Sequence, residues 1–405
     1  MKYNIWNKWD PLKVVMLGDN WGPEFFQSIK DDSIRSPLQQ IADETLEELA
    51  YFESVLKDFG CTVIRPVIDR SDRIENYVGE EGEINGGIPR NALQPRDHQV
   101  VGGNTLYSTL CDNPGIAKGL QKYGEVKPFY EEQDIPHLLG LNPPYIDEEK
   151  YSLLIGADWP SYEYFLENRK NKNKFVDFVW EELRNFSRIL GLLPTSANSF
   201  LIGKDVYVDF DCGLPQWYLE ETIFPNTRIN ILDAGTTHHD GCFHPIKPGA
   251  ILSIKDFQNY EQTFPDWDVC YLQGESWEKV RGFLDLKKKN MGAWWLPGAE
   301  NNPQFADFVN KWLDNWVGYV EESVFDVNVL VLDEHHVCVN NMDNPQLLDF
   351  LKKHKMEPVH VPWRHRYFWD GGLHCITLDL YREGVQQDYF PDRKQAIVQK
   401  ELSNC

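Results

Sequence analysis

A cysteine beside a glycine-rich turn is the first residue of this 405-residue chain whose surroundings suggest chemistry. Cys375 follows the turn Asp370-Gly371-Gly372, and a run of apolar, partly β-branched residues begins after it. Glycine adopts positive φ without steric cost, and such a run is typical of a half-buried strand. Cys375 is therefore predicted to lie on rigid backbone, where it could act as a nucleophile. The other interpretation of a lone cysteine is a small buried hydrophobic residue.

A second reactive stretch, at 237–244, holds three histidines, one aspartate and one cysteine. If it is extended, His238 and Asp240 share a side, because side chains two apart in a strand point the same way. That arrangement suits a general base beside a carboxylate that binds a cation. A metal site is the alternative, but the histidine spacing matches no closed zinc motif, so no metal is expected.

Two further polar residues precede predicted strands. Asp97 follows a proline-containing turn, where its carboxylate either binds a cation or caps backbone amides. Asn198 precedes a predicted hairpin and is typical of an Asx turn. Both positions place a polar side chain just before the start of a predicted strand.

Hairpins, helices and strands recur in similar order along the chain and would position these residues. One predicted helix has Ser36 as its N-cap and Pro37 as its first residue, and Gly60 stops it. The other predicted helices cover 174–190, 305–317 and 345–355, the strands 13–18, 61–67 and 359–363, and the hairpins 200–210 and 328–340. The recurrence predicts a pseudo-symmetric α/β array around an axis. A doubly wound sheet is the alternative, but no G-x-G-x-x-G opens a helix.

Charge and composition limit the partners and the compartment. The net charge is −23, which disfavours nucleic acid and anionic membrane and favours a cationic ligand. No composition break divides the chain, so a single domain over 1–405 is expected. The eight cysteines lie far apart and the N-terminus has no apolar leader segment, so we expect reduced thiols and a cytoplasmic location.

Five blocks of the sequence, in consistent order, resemble the glycine (arginine:glycine) amidinotransferase family and its inosamine-phosphate relatives. The blocks are Trp9 to Val15, Pro95 to Asp97 with Gly103-Asn104, His238 to Ser253, Asn328 to Glu334, and Gly371 to Thr377. The resemblance implies the pentein fold, a five-bladed α/β propeller of five ββαβ modules around a pseudo-fivefold axis.

The resemblance also implies a reaction. Cys375 would attack a guanidine to form a covalent amidino-cysteine, His238 would be the general acid/base, and Asp97 and Asp240 would bind the guanidinium. A guanidinium carbon is poorly electrophilic, so carboxylates must hold its N–H groups while a thiolate attacks. The amidino group of arginine, or of a related guanidine, would pass to an amine acceptor. Both substrates are small molecules, no cofactor is implied, and a homodimer is an assembly that the sequence leaves open.

Three positions depart from the family pattern. Asn198 stands where the family has a catalytic aspartate, although an amide oxygen can still hold an imidazole N–H. Phe257, with Lys255 nearby, stands where an arginine binds the substrate carboxylate. Glu321 and Glu322 replace a serine pair and, with Arg96, are further candidates for substrate binding. We therefore expect a substrate that lacks an α-carboxylate or carries a second amine.

Two alternative functions remain. A guanidine hydrolase of the deiminase or dihydrolase type would use the same cysteine, histidine and aspartates, with water as the acceptor. A binding protein on a catalytically altered pentein scaffold is the other, because Asn198 removes a charge from the site.

Overall fold

Most of both ends of the chain and the segments that carry the candidate site are described in the computed structural model. The described residues are 2–77, 88, 91–108, 113–128, 194–209, 218–232, 238–254, 259–272, 296, 302–313, 316, 326–369, 371–394 and 396–397. The predicted helix at 174–190 lies outside them, as do the candidate residues Glu321, Glu322, Lys255 and Phe257.

Short strands make up five sheets. The strands are β1 (Leu12–Leu17), β2 (Thr62–Ile64), β3 (Gln99–Gly102), β4 (Thr105–Ser108), β5 (Lys127–Pro128), β6 (Ser199–Ile202), β7 (Asp205–Asp209), β8 (Arg228–Leu232), β9 (Phe243–Lys247), β10 (Ala250–Ser253), β11 (Asp268–Tyr271), β12 (Leu330–Val331), β13 (His336–Val339), β14 (Glu357–His360) and β15 (Thr377–Arg382). Both predicted hairpins are confirmed, as β6–β7 and β12–β13. The strand predicted at 359–363 is formed two residues earlier, by β14.

The five sheets share one topology within the described residues. The central strands are β1, β4, β7, β10 and β13, and each pairs with one antiparallel and one parallel neighbour. In four sheets the antiparallel neighbour directly precedes the central strand in sequence. In the fifth, that neighbour is β15, which pairs with β1 through contacts such as Val15 to Asp379. The last strand of the described residues therefore completes the first sheet.

Among the described residues, four helices each connect a central strand to its parallel neighbour along the chain. The other two connect strands of different sheets. The helices are α1 (Asp32–Asp58), α2 (Pro114–Tyr123), α3 (Tyr260–Thr263), α4 (Pro303–Trp312), α5 (Pro345–Lys353) and α6 (Arg366–Trp369). Helices α2, α4 and α5 each begin with an asparagine N-cap followed by proline, which needs no backbone N–H at that position. The mixed α/β class predicted from the sequence is confirmed.

The start of α1 differs from the prediction. The helix begins at Asp32, and the side chain of Asp31 accepts a hydrogen bond from the backbone N–H of Ser33 at 2.9 Å. Pro37 consequently lies inside the helix rather than at its first position. A proline there removes one intrahelical hydrogen bond, but the long apolar face of α1 buries residues such as Phe52 and Leu56, which offsets that loss. The predicted stop is confirmed, because Gly60 follows the helix with φ of +80°.

Tryptophans anchor the backbone on both sides of the site. Trp9 is fully buried and packs against Trp267 and Tyr389, with ring centroids 5.9 and 5.3 Å away. Trp369 packs against Trp316 at 5.7 Å, directly before the Cys375 loop. These contacts fix the backbone that carries Lys8 and Cys375.

Among the described residues, no helix is both long and apolar enough to cross a membrane.

Candidate active site

One polar residue precedes the antiparallel outer strand of each sheet by one to three positions. These five residues are Asp97 before β3, Asn198 before β6, Asp240 before β9, Asn328 before β12 and Cys375 before β15. Equivalent positions in five sheets of one topology thus carry the candidate chemistry. The sequence indicated four of them, and Asn328 was missed.

The loop that carries Cys375 depends on two glycines. Gly371 has φ of +155°, and a Cβ added there would lie 2.9 Å from Cβ of Cys375. A Cβ on Gly372 would lie 2.7 Å from Cβ and Oδ1 of Asn328. Atoms of Cys375 and Asn328 therefore lie too close to these two positions for any side chain there. Cys375 itself is 1% exposed, so access to its sulfur is restricted.

The side chain of Asn328 links three loops. Its Oδ1 accepts hydrogen bonds from the backbone N–H groups of His374 and Cys375 at 2.9 and 3.1 Å. Its Nδ2 donates to Sγ of Cys375 at 2.8 Å and to the carbonyl oxygen of Asp240 at 3.3 Å. The amide holds the cysteine backbone and also donates to the sulfur, which favours a thiolate. Its position as the first residue of the predicted 328–340 hairpin was the available sequence signal.

Asp240 and Cys375 meet across the site. Sγ of Cys375 lies 3.5 Å from Oδ2 of Asp240, and the same oxygen lies 2.7 Å from Nδ1 of His374. Asp240 belongs to a 3₁₀ turn, His239–Gly241, rather than to an extended segment. The strand-like alternation expected for His238 and Asp240 is therefore wrong, because the chain turns between them.

His238 directly precedes this turn, has extended backbone angles and is half-buried. Its role as general acid/base stays a prediction. The other members of the 237–244 cluster diverge: His239 packs against Phe200 and Phe243, whereas His244 packs edge-on against His374 at 4.6 Å. In the described part of the chain, no three His, Cys, Asp or Glu side chains are grouped to hold a metal ion.

Asp97 and Asn198 lie in neighbouring loops. Asp97 ends the 3₁₀ helix Pro95–Asp97 and is half-buried. Asn198 is 5% exposed and accepts a hydrogen bond from Oγ1 of Thr195 at 3.3 Å, so it is part of a turn. The preceding residue, Ala197, accepts a hydrogen bond from the backbone N–H of Asp240 at 3.3 Å. The loops of Asn198 and Asp240 are thus in contact.

Arg96 is buried under the cysteine loop. Its guanidinium lies 2.8 Å from each partner described: Nη2 contacts Oδ1 of Asp379, and Nε donates to the carbonyl oxygens of His374 and Thr377. The side chain is 1% exposed. These contacts give it a supporting position beneath the nucleophile loop, and its predicted contact with substrate stays a prediction.

Two ionisable residues that the sequence did not indicate lie near Asp240. His374 contacts Asp240 directly, and Lys8 contacts His374. Burial, followed by the positive charge of Arg96 and Lys8, lowers the pKa of His374 well below its usual range. Neutral His374 with hydrogen on Nδ1 donates to Asp240, and its Nε2 lies 3.4 Å from Nζ of Lys8. Burial, followed by Arg96, lowers the pKa of Lys8 to about 7. The adjacent His-Cys pair was the available signal for His374, but local sequence offered none for Lys8.

Relatives of nearly the whole chain are known amidinotransferases. No protein-family model matches. Mitochondrial glycine amidinotransferase of Xenopus tropicalis is 24% identical over 410 residues, which cover 95% of this chain and 84% of the relative. The L-arginine:L-lysine amidinotransferase of Pseudomonas savastanoi pv. phaseolicola is 31% identical over 203 residues, which cover 48% of this chain and 46% of that protein.

Solved structures share the fold over similar lengths. An amidinotransferase of the saxitoxin biosynthetic pathway of Microseira wollei, SxtG, has a TM-score of 0.54 at 18% identity and covers 96% of this chain and 100% of that one. The inosamine-phosphate amidinotransferase StrB1 of Streptomyces griseus has a TM-score of 0.55 at 16% identity, covering 96% and 99%. This chain is thus similar to glycine amidinotransferase over almost its full length, and it shares the fold of solved amidinotransferase structures.

Proposed function

We propose that this protein transfers an amidino group from arginine or a related guanidine to an amine, through a covalent amidino-cysteine on Cys375. The observation that carries the proposal is the 3.5 Å contact between Sγ of Cys375 and Oδ2 of Asp240. A guanidinium bound to that carboxylate would bring its carbon next to the sulfur. Full-length similarity to amidinotransferases supports an amine as the acceptor.

In the first half-reaction, Asp240 and Asp97 hold the N–H groups of the guanidinium by charge-assisted hydrogen bonds. The Cys375 thiolate attacks the guanidinium carbon, forming the S–C bond. The C–N bond to the donor amine then breaks, and His238 protonates that amine as it leaves. Asn328 donates to the sulfur at 2.8 Å and so stabilises the thiolate before attack.

In the second half-reaction, the acceptor amine binds where the donor amine left. His238, now neutral, takes its proton, and the amine attacks the amidino carbon. The S–C bond breaks, the new guanidine leaves and the thiolate is restored. With Asn198 in place of an aspartate, the imidazolium has one fewer charged neighbour than the resemblance implies.

We infer that the five sheets are the blades of the pentein propeller. Their common topology and the polar residue before each outer strand support this arrangement. We also propose that one substrate lacks an α-carboxylate, since Phe257 stands where the resemblance implies an arginine. A cytoplasmic location and a single domain over the chain stay predictions.

Incubation with arginine labelled at the guanidino carbon tests the function, with and without a panel of amines that includes glycine, lysine and a diamine. We expect label on an amine acceptor, ornithine as co-product, and a labelled adduct on Cys375 in intact-protein mass spectra. Agmatine as donor, compared with arginine, tests the proposed lack of a carboxylate.

The products separate the alternatives. Label released as urea, citrulline or carbon dioxide regardless of amine would replace transfer by hydrolysis. An unmodified protein that binds arginine or agmatine without turnover would indicate a binding protein. The Cys375→Ala variant is the matched control and should give neither adduct nor product.

A further inference from the structure

Lys8 is a buried lysine whose surroundings are unusual for an ammonium ion. It is 5% exposed, and its Nζ lies 3.4 Å from Nε2 of His374. Among the described residues, this histidine is the sole hydrogen-bond partner recorded for Nζ, and no carboxylate lies within 4.0 Å of it. A buried ammonium is normally paired with a carboxylate, so burial without such a partner shifts Lys8 towards the neutral amine.

The residues around Lys8 enclose a cavity of about 10 Å³, lined by Ser196, Asp240, His244 and His374. This volume corresponds to about one water molecule and excludes a substrate. Lys8 therefore acts on the site through its neighbours rather than by touching a guanidine.

Several charged or titratable groups face Lys8 from the elements packed around it. They are Arg96 before β3, Asp240 before β9, His244 on β9, His374 before β15, and Asp379 and Arg382 on β15. The two arginines already bind Asp379 at 2.8 and 2.7 Å. A proton on Lys8 would thus add a positive charge that acts on Asp240 as well as on Asp379.

A chain of two contacts connects Lys8 to that carboxylate. An N–H of Lys8 donates to Nε2 of His374, which keeps the ring hydrogen on Nδ1, and Nδ1 donates to Oδ2 of Asp240 at 2.7 Å. Asp240 is the carboxylate proposed to bind the guanidinium, so the inference rests on the proposed function. Positive charge on Lys8 would compete with a cationic substrate for the field of Asp240.

We propose that Lys8 is a positioning residue that acts through His374 on Asp240, and that its protonation weakens the binding of a cationic guanidine or amidine beside Cys375. Neutral Lys8 adds no positive charge near this carboxylate. Acidification would then selectively slow the reactions of cationic ligands with Cys375. The rates for neutral ligands would depend only on the ionisation of the Cys375 thiol.

Two alkylating reagents of matched size test this without turnover. 2-Chloroacetamidine is a cation and 2-chloroacetamide is its neutral counterpart, and both would modify Cys375. Intact-protein mass spectrometry from pH 5.5 to 8.5 gives the rate for 2-chloroacetamidine divided by the rate for 2-chloroacetamide. This ratio does not depend on the ionisation of the thiol, because that ionisation affects both rates equally. In wild type we expect the ratio to rise roughly five- to thirtyfold as pH increases through about 7.

The Lys8→Met variant should give a high ratio that is independent of pH, whereas Lys8→Arg should give a low one. Lys13→Met is the control, because Lys13 is 43% exposed and pairs with Glu383 on the surface, and it should behave as wild type. Either substitution at position 8 suffices if the other does not fold.

Three results would overturn the inference. A wild-type ratio that does not change with pH, or a rise that persists unchanged in the position 8 variants, would remove Lys8 from the site's electrostatics while leaving the proposed function intact. A ratio near one in every variant would mean that Asp240 attracts no cation, and failure of both reagents to modify Cys375 would remove the nucleophile. Those last two outcomes would overturn the proposed function as well.

Discussion

Two buried polar clusters lie against the Cys375 loop and differ in their charged groups and in the lengths of the contacts described for them. In the first, Asp379 binds Arg96 through one oxygen and Arg382 through the other, at 2.8 and 2.7 Å. Arg382 also donates to the carbonyl oxygens of Asp10 and Val331, both at 2.7 Å. Each charge in this cluster has a short, directional contact.

The second cluster consists of Cys375, Asp240, His374 and Lys8. Two of its contacts are long, at 3.5 Å for the sulfur and 3.4 Å for the lysine. It contains one carboxylate, and burial lowers the pKa values of its two basic groups, Lys8 and His374. The first cluster holds β15 in place, whereas the second contains the carboxylate and the thiol that the proposed function assigns to a cationic substrate.

The largest expected effect comes from the sulfur of the second cluster. Cys375→Ala and Cys375→Ser should abolish turnover and the amidino adduct, because an alcohol is a far poorer nucleophile than a thiolate at neutral pH. The free energy of unfolding should change by less than about 1.5 kcal/mol, since the exchange is nearly isosteric. Activity assays and denaturant unfolding measure the two quantities. Full activity in the serine variant, or an adduct on another cysteine, would contradict the assignment.

Removing the charge at the centre of the first cluster should affect folding instead. Asp379→Asn keeps the shape but leaves Arg96 and Arg382 without a counter-ion, so the free energy of unfolding should fall by about 3–5 kcal/mol. Glu383→Gln is the control, because its pair with Lys13 is exposed at both ends and contributes less than about 1 kcal/mol.

The effect of Asp379 should depend on pH. Burial alone would raise the pKa of Asp379, but Arg382 and Arg96 outweigh it and hold that pKa well below its usual range. The native state therefore resists protonation, and the stabilisation is complete above the unfolded pKa of about 4 and is lost as pH falls further. Wild type and Asp379→Asn should converge in stability on acidification below about pH 4. A difference that stays constant there would show that the arginines do not depress this pKa.

Asn328 joins the nucleophile to the carboxylate loop, and its substitution should have an intermediate effect. Asn328→Ala removes two acceptor contacts and the donor to sulfur, so kcat/KM should fall about ten- to a hundredfold and stability by about 1–3 kcal/mol. Asn328→Asp still accepts from both backbone N–H groups but no longer donates to the sulfur.

The rate of Cys375 alkylation by a neutral reagent distinguishes these roles. A stable Asn328→Asp protein whose thiol reacts only at higher pH would show that the donated hydrogen bond favours the thiolate. Unchanged alkylation profiles in both variants would restrict Asn328 to holding the loop.

The smallest effect is expected at Asn198, where substitution by aspartate adds a charge to the loop that contacts the Asp240 loop. Activity should be retained, or raised by less than about tenfold, because the carboxylate favours both the guanidinium and an imidazolium on His238. The pH profile of kcat/KM should shift, and steady-state assays across pH measure it. A folded but inactive Asn198→Asp protein would mean that the asparagine suits a different substrate, which would weaken arginine as the donor.

Local sequence was sufficient for much of the fold and for the reactive residue types. The hairpins β6–β7 and β12–β13 followed from turn residues flanked by apolar alternation, and the end of α1 from Gly60. The start of α1 was misplaced because Asp31 competes with Ser36 as a cap, and sequence alone does not rank two suitable caps. Boundaries of this kind depend on how much apolar surface each extra turn buries.

What the sequence determined was the identity of Cys375 and Asp240 and the backbone setting of Cys375, because glycine turns and reactive side chains are encoded within a few residues. Only the tertiary structure decided which distant groups meet them. Asn328 reaches Cys375 across 47 positions and Lys8 reaches His374 across 366, so both contacts form only when the folded chain brings these loops together. The fold also changes chemistry that composition cannot reveal: burial without a carboxylate partner makes Lys8 a weak base, whereas burial between two arginines keeps Asp379 ionised.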